Sequence, residues 1–195
     1  MKTDNLVRSY PWVLLGGSLI GLISSIWQAA ERVQMLKAPT QALACDLNPV
    51  IDCGGVLGNR WSSLFGFPNA FLGIAMFAML FMAGLLLVSG GKPSKFFSKA
   101  LMTVNAILIL FSLWFFSMSL YVIGRVCIFC LFIWAVSVPI FWYGAINYLQ
   151  TNPPRAGWLK KFRLFAEKHH LEVLVLTYVV LLALFLFRFR DYYFA

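Results

Sequence analysis

Charged residues divide the chain into long uncharged runs, each rich in aliphatic and aromatic side chains. A helix needs roughly 20 apolar residues to cross the hydrocarbon core of a bilayer. Four runs meet that length, and they cover residues 9–30, 61–91, 100–124 and 126–154. Because backbone amides in lipid have no water to bond with, we expect each run to form a helix.

A fifth run, residues 173–187, is shorter. It spans the membrane if Glu172 and Arg188 extend their charged groups to the two interfaces, and otherwise it is an interfacial helix. Turn-forming residues separate the runs, with Gly90, Gly91 and Pro93 after the second and Pro153 and Pro154 after the fourth. The pattern predicts an all-α integral membrane protein, a bundle of four transmembrane helices with a fifth at the C-terminus.

Composition supports this class of protein. Hydrophobic residues make up 61% of the 195 residues and charged residues only 12%. A soluble domain cannot hide so much apolar surface. The net charge of +9 is typical of basic residues that flank membrane spans, so we expect no nucleic-acid partner. The first apolar run is too long for a signal peptide, and we expect it to be a retained helix.

The distribution of Lys and Arg predicts the orientation. Ten of the 16 fall in the N-terminal segment and in the two loops on its side of the membrane, and six fall on the other side. This bias predicts a cytoplasmic N-terminus in a multi-pass protein of the inner cell membrane. The longest outer connection, residues 31–67, becomes apolar toward its end, and we expect it to fold back over the bundle as a lid containing a short helix.

All four cysteines fall on the outer side in this topology, where disulfides persist. Cys45 and Cys53 lie in the long connection, and Cys127 and Cys130 form a Cys-x-x-Cys at the start of the fourth helix. Residues three apart share a helix face. The helix start and the nearby Arg125 both favour a thiolate at Cys127. The pattern therefore indicates a redox-active site.

Other interpretations of the cysteines stay open. They could be ordinary apolar residues, form inert disulfides that staple a non-enzymatic membrane scaffold, or bind zinc. There is no second Cys-x-x-Cys, and His169 and His170 lie on the opposite side, so we expect no metal. The Cys-x-x-Cys lies at membrane depth next to Trp134 and two phenylalanines, where thiols can pass electrons to a lipid-soluble quinone. The Gly-rich turn of a nicotinamide-binding fold is missing from the sequence.

The spacing of these motifs resembles the vitamin K epoxide reductase family, and most closely its bacterial members. The resemblance covers roughly residues 10–150 and rests on Cys45 and Cys53 with Gly54-Gly55, on Phe67-Pro68-Asn69, and on Cys127-Ile128-Phe129-Cys130. It implies that residues 1–150 form a four-helix catalytic domain around a quinone, with residues 31–67 as the lid. Residues 151–195 then supply a basic cytoplasmic loop and the fifth helix.

The resemblance also implies a relay. Cys45 exchanges with a thioredoxin-fold partner, Cys53 forms a mixed disulfide with Cys127, and Cys130 faces the quinone, which is menaquinone, ubiquinone or a form of vitamin K. The implied activity is that of a thiol:quinone oxidoreductase that reoxidises a DsbA-like protein outside the cytoplasm and so supports disulfide formation. The alternative within the family is a quinone or vitamin K epoxide reductase that uses thiols as the reductant. Many bacterial relatives carry a fused thioredoxin domain, and none follows in this sequence, so we expect a separate partner.

Three further residues are implied to line the quinone site. Asn69 matches the family asparagine that hydrogen-bonds a quinone oxygen, although Asn also favours helix N-caps. Asn59 stands where the family usually has Ser or Thr, with Ser62 nearby. Trp134 stands where vertebrate enzymes have Tyr, and an indole donates a hydrogen bond but cannot accept one. These two differences weigh against epoxide chemistry and leave quinone reduction intact.

Overall fold

The structure is a computed structural model that describes residues 2–38, 43–153 and 157–193, with side chains described from Ser9 to Tyr192 within those ranges. Residues 39–42 of the predicted lid, and Pro154 and Arg155 of the predicted inner loop, lie outside the described residues.

The described residues are mostly helical and contain no β-strand beyond one isolated bridge, which confirms the predicted all-α class. It forms α1 (Lys2–Lys37), α2 (Cys53–Leu57), a 3₁₀ turn (Arg60–Ser63), α3 (Asn69–Val88), α4 (Lys95–Met118) with a π-helical turn (Ser119–Ile123), α5 (Ile128–Thr151), α6 (Gly157–Lys168), α7 (His170–Arg188) and α8 (Arg190–Tyr193). Five of these helices, α1, α3, α4, α5 and α7, are long and apolar enough to cross a membrane.

The end of the first helix, the lid and the segment after α5 differ from the prediction. The first helix does not end near Glu31 but continues to Lys37, because the residues that follow the apolar run (Arg, Gln, Met, Leu, Lys) are themselves good helix formers. The lid therefore begins after Lys37 and contains two short helical turns instead of one helix. The basic segment after α5 is likewise not a simple loop, because it contains α6.

Local sequence explains where the helices begin and end. The Ser94 hydroxyl accepts a hydrogen bond from the amide of Phe97 (3.2 Å) and caps α4. Gly124 adopts the left-handed conformation (φ +70°) that ends the π-helical turn, a backbone geometry that glycine tolerates best. Only four residues separate this turn from α5, so α4 and α5 form an antiparallel pair.

Close helix contacts and a buried core hold the bundle together. At Gly84 a Cβ atom would lie only 2.9 Å from the Cα of Leu15, so α1 and α3 approach to backbone contact, as small residues permit in membranes. One buried cluster lies on the side of the bundle away from the cysteines and is centred on Leu14, Phe77 and Ile140. A second cluster surrounds the cysteines.

The fifth long helix is held to the bundle by hydrogen bonds to two carbonyl groups. Pro139 has no N–H, so the carbonyl of Ala135 on α5 lacks its helical donor. The Tyr178 hydroxyl of α7 donates to it. The Arg188 Nε group donates to the carbonyl of Leu120 in the π-helical turn (2.9 Å). In lipid such carbonyls have no water to bond with, so these contacts fix α7 against α4 and α5.

Candidate active site

A short stretch of backbone pairing brings the two cysteine motifs together. Ile51 and Val126 form an isolated parallel β-bridge. The amide of Asp52 donates to the Val126 carbonyl (3.0 Å), and the amide of Val126 donates to the Val50 carbonyl (2.8 Å). A cysteine follows directly in each segment. The pairing therefore places the Sγ atoms of Cys53 and Cys127 3.1 Å apart.

An ion pair reinforces this junction from the side. Arg125 donates to one carboxylate oxygen of Asp52. The other oxygen of Asp52 accepts from the amide of Gly55 (2.7 Å) and so caps α2, the helix that begins with Cys53. A Cβ atom on Gly55 would lie 2.5 Å from the Cδ of Arg125. Because glycine has no Cβ atom, the Arg125 side chain can occupy the space beside Gly55.

The outer cysteines are joined to each other and the inner ones are free. Cys45 and Cys53 form a disulfide with their Cα atoms 5.7 Å apart, and Cys127 and Cys130 are buried thiols. The Asp46 carboxylate holds the disulfide loop by accepting from the amides of Leu43 (2.9 Å) and Gly54 (2.8 Å). Asp46 lies close to both outer sulfurs, but the disulfide occupies those sulfurs, so the cluster is not a set of metal ligands.

Cys127 directly precedes the first residue of α5. The pKa of the Cys127 thiol lies below the ordinary value, chiefly because the Cys130 thiol donates a hydrogen bond to it. Burial raises this pKa, and the backbone amides of Cys130 and Phe129 lower it further. The helix start was expected to favour the thiolate. Arg125, which was expected to help, is instead paired with Asp52. A lowered pKa makes Cys127 a better leaving group in disulfide exchange.

Cys130 forms part of the wall of a cavity of about 240 Å³ inside the bundle. Residues of α1, the lid, α3, α4 and α5 line it, and most of them are apolar: Ser25, Gln28, Leu57, Ser62, Phe65, Asn69, Ala70, Leu72, Gly73, Met76, Phe77, Ile107, Leu108, Phe111, Ser112, Phe115, Cys130, Ile133 and Trp134. A mostly apolar cavity with a few polar groups is typical of a site for a flat lipophilic molecule. Ile107 and Phe65 line the cavity yet are 53% and 59% exposed, so the cavity opens on the side of the bundle.

Asn69 and Trp134 both line this cavity. The Asn69 side chain donates to the Trp61 carbonyl (2.7 Å) and accepts from the amide of Leu64 (3.1 Å), and so ties the lid to the start of α3. It is the first residue of α3 and does not cap it. One amide hydrogen remains for a ligand. Trp134 lies one helical turn after Cys130 and packs edge-on against Phe116, with ring centroids 4.8 Å apart.

Asn59 is placed differently. Its side chain accepts from the amide of Trp61 (3.1 Å) and caps the 3₁₀ turn of the lid, and it does not contribute to the cavity wall. Ser62, three residues further on, does. Asn59 therefore supports the segment that covers the cavity.

Sequence reasoning missed Gln28. Its Nε2 group donates to the Sγ atom of Cys130 (3.5 Å), and its side chain lines the cavity. The available signal was an amide side chain inside an otherwise apolar span, since polar groups in membrane helices tend to be functional. Glu31, one turn further along α1, is buried instead of lying on the surface, and it accepts from the indole of Trp27 (3.0 Å).

A helical membrane bundle that joins two cysteine pairs beside an apolar cavity has the architecture of a membrane-embedded oxidoreductase. The chain matches the model of the vitamin K epoxide reductase family over residues 12–145, which includes the first four spans, all four cysteines and the cavity. The protein therefore belongs to the vitamin K epoxide reductase family, as its motifs predicted. Members of this family are thiol-dependent oxidoreductases that use quinones and generally work with a thioredoxin-like partner.

Proposed function

We propose that the protein is a thiol:quinone oxidoreductase that takes electrons from a separate thioredoxin-fold (DsbA-like) protein and so supports disulfide formation. One observation carries this proposal. Cys53 is bonded to Cys45 and its sulfur also lies 3.1 Å from Cys127, while Cys130 lies in the cavity wall. The four sulfurs thus form a continuous path from the lid to the cavity.

Each step of the relay is a thiol–disulfide exchange. A partner dithiol attacks Cys45, and after exchange the partner holds a disulfide while Cys45 and Cys53 hold two electrons and two protons. Cys53 then attacks Cys127 of an inner disulfide and releases the Cys130 thiol. Cys45 resolves this bond and re-forms Cys45–Cys53. The inner dithiol passes two electrons and two protons to a quinone as the Cys127–Cys130 disulfide forms again.

Residues of the cavity have proposed roles around this path. The remaining amide hydrogen of Asn69 would donate to a quinone oxygen, and Gln28 would stabilise negative charge on Cys130 by its hydrogen bond. Trp134 would form the wall against the ring. Asn59 would act indirectly, by holding the lid turn that brings Ser62 to the cavity.

The proposed topology places the sulfurs in the periplasm and the N-terminus in the cytoplasm. The Lys and Arg bias supports it, and so does the persistence of disulfides outside the cytoplasm. In this arrangement residues 1–150 form the catalytic domain, and residues 151–195 add a basic cytoplasmic segment and a fifth transmembrane helix.

The proposal is tested by quinone-dependent oxidation of a reduced thioredoxin-fold protein in proteoliposomes. Cys130→Ala should lose all quinone-dependent turnover, and intact activity in that variant would eliminate the proposal. Cys53→Ala leaves Cys45 as a free thiol, so it is incubated with the oxidised form of the partner. The Cys45 thiolate should then attack the partner disulfide, release one partner thiol and remain bonded to the partner, and mass spectrometry identifies the trapped species. Cys45→Ala is the matched control, because it also lacks the outer disulfide and lacks the cysteine that the partner is proposed to attack. A disulfide-stapled scaffold would trap nothing in either variant.

Reduction of a quinone or of vitamin K epoxide as the main activity is the second candidate, and the family match favours it. The same purified protein, supplied with a dithiol, is assayed with both acceptors. Epoxide turnover equal to quinone turnover would favour the second candidate. Turnover of the quinone alone eliminates epoxide reduction, and quinone turnover that is faster with the thioredoxin-fold protein than with the dithiol supports the first.

A further inference from the structure

Helix α6 lies at the end of the bundle opposite the sulfurs, because α5 begins next to Cys127 and α6 packs near its other end, which is Thr151. It packs on the last part of α5. The rings of Phe162 and Trp142 make an edge-on contact with centroids 6.3 Å apart, and the amide of Gln150 donates to Glu167 (3.0 Å). Helix α5 has 24 residues, so it is about 36 Å long and exceeds a hydrocarbon core of about 30 Å. Gln150 is the last residue but one of α5, so its contact with Glu167 places α6 at the membrane boundary.

The face of α6 that points away from the bundle alternates aromatic and basic side chains. Trp158, Lys161, Phe165 and Lys168 follow one another at spacings of three, four and three residues, so they form one stripe. Trp158 is 70% exposed and Phe165 is 52% exposed. Exposed aromatic rings beside lysines on a boundary helix are typical of a helix that lies in the lipid interface.

The positive charge of this face is not neutralised by the protein. Lys160, Lys161 and Lys168 are exposed, and within the described ranges none of them forms an ion pair. The acidic residue of α6, Glu167, is turned toward α5 and pairs with Arg163 (3.5 Å). The ammonium groups of these three lysines are therefore unpaired and lie at the depth of the lipid headgroups.

We propose that the exposed face of α6, formed by Trp158, Lys160, Lys161, Phe165 and Lys168, binds the headgroups of anionic phospholipids. The rings insert among the acyl chains and the ammonium groups contact the phosphates. Each lysine close to an anionic surface strengthens binding by about fivefold. Binding at this face is independent of the quinone and of the cysteines, which lie at the other end of the bundle.

The test uses the full chain in nanodiscs of equimolar phosphatidylcholine and phosphatidylglycerol, with retained lipid counted by native mass spectrometry. The variant carries Lys160→Gln, Lys161→Gln and Lys168→Gln. Its matched control carries Lys92→Gln, Lys95→Gln and Lys99→Gln, three exposed lysines at the same end of the bundle. We expect the α6 variant to lose affinity for phosphatidylglycerol about tenfold or more, and the control to change far less.

A second pair of variants tests the aromatic contribution without altering charge. Trp158→Ala with Phe165→Ala should also lower phosphatidylglycerol retention, whereas Phe96→Ala, which removes an exposed ring from the first turn of α4, should not. Circular dichroism verifies that each variant is folded. Equal losses in the α6 and control triple variants overturn the proposal. So does unchanged lipid retention, which would leave this face to an acidic protein partner.

Discussion

The Sγ atoms of Cys53 and Cys127 lie 3.1 Å apart although the residues are separated by 74 positions in the sequence. Their contact follows from the backbone pairing of residues 50–52 with Val126. This pairing is made by main-chain groups and does not depend on which sulfur each cysteine is bonded to. In the proposed relay, electrons would therefore pass between the two pairs without a large movement of the lid.

The first prediction is that the variant with both Cys45→Ala and Cys130→Ala forms a Cys53–Cys127 disulfide on mild oxidation. Loss of maleimide labelling after denaturation reports the bond. The control with Cys53→Ala and Cys127→Ala retains Cys45 and Cys130, which are not neighbours in the relay, and should remain labelled. Equal labelling of the two double variants would show that the sulfurs do not meet.

The second prediction concerns Asp52, which both caps α2 and pairs with Arg125. In the background that carries only Cys53 and Cys127, Asp52→Asn keeps the cap acceptor and loses the charge. It should slow disulfide formation by about fivefold, since a partly exposed ion pair contributes about 1 kcal/mol or less. Asp52→Ala also loses the cap and should destabilise the protein by about 1 kcal/mol more.

Arg125→Gln supplies the control for the second prediction. If the ion pair acts as a unit, Asp52→Asn should have little further effect on the exchange rate once Arg125 is replaced. Additive effects of the two substitutions would indicate that the charges act separately. Thermal unfolding distinguishes a slower exchange from a loss of fold.

The third prediction is a pH dependence at Cys127. Because the Cys130 thiol lowers the pKa of Cys127, Cys130→Ala should move the ionisation of Cys127 to higher pH than Cys130→Ser, which keeps a hydroxyl donor. Each variant retains the outer disulfide and a single free thiol, so the ultraviolet absorbance of the thiolate reports Cys127 alone. The lowered pKa of Cys127 also stabilises the fold. This contribution is fully present above the ordinary pKa of a thiol and is lost as the pH falls through the lowered pKa. Identical titrations would contradict the hydrogen bond.

The fourth prediction concerns the attachment of α7. Tyr178→Phe removes the donor to the Ala135 carbonyl and should destabilise the bundle by about 1 kcal/mol. In a Pro139→Ala background the new amide of residue 139 can bond that carbonyl, so Tyr178→Phe should cost less there. Thermal unfolding in detergent measures both. Tyr121→Phe, on an exposed ring, is the control, and an equal cost of Tyr178→Phe in both backgrounds would contradict the account.

The spans could be predicted because lipid leaves the backbone few choices. An uncharged run of sufficient length becomes a helix, and the break predicted at Gly90 falls just after the end of α3. Helix α6 was missed because its lysines were interpreted only as loop charge. The spacing of Leu159, Phe162 and Ala166 at three and four residues was the available signal of an amphipathic helix.

The site was predictable only in part, because its geometry depends on contacts between distant segments. The Cys-x-x-Cys could be recognised from its local spacing. The pairing of residues 50–52 with Val126 and the approach of Gln28 to Cys130 come from the folded chain, and no local pattern encodes them. Arg125 illustrates the difference, since its position suggested a partner for Cys127 and the fold gives it Asp52.

The side opening at Ile107 has a consequence for how any ligand of the cavity is supplied. A molecule that enters there arrives by two-dimensional diffusion within the bilayer and is in equilibrium with the lipid phase. Its water solubility then has little bearing on occupancy. Apparent Michaelis constants for such a ligand scale with the amount of lipid or detergent in the assay, and they become comparable only when expressed as mole fractions of the membrane.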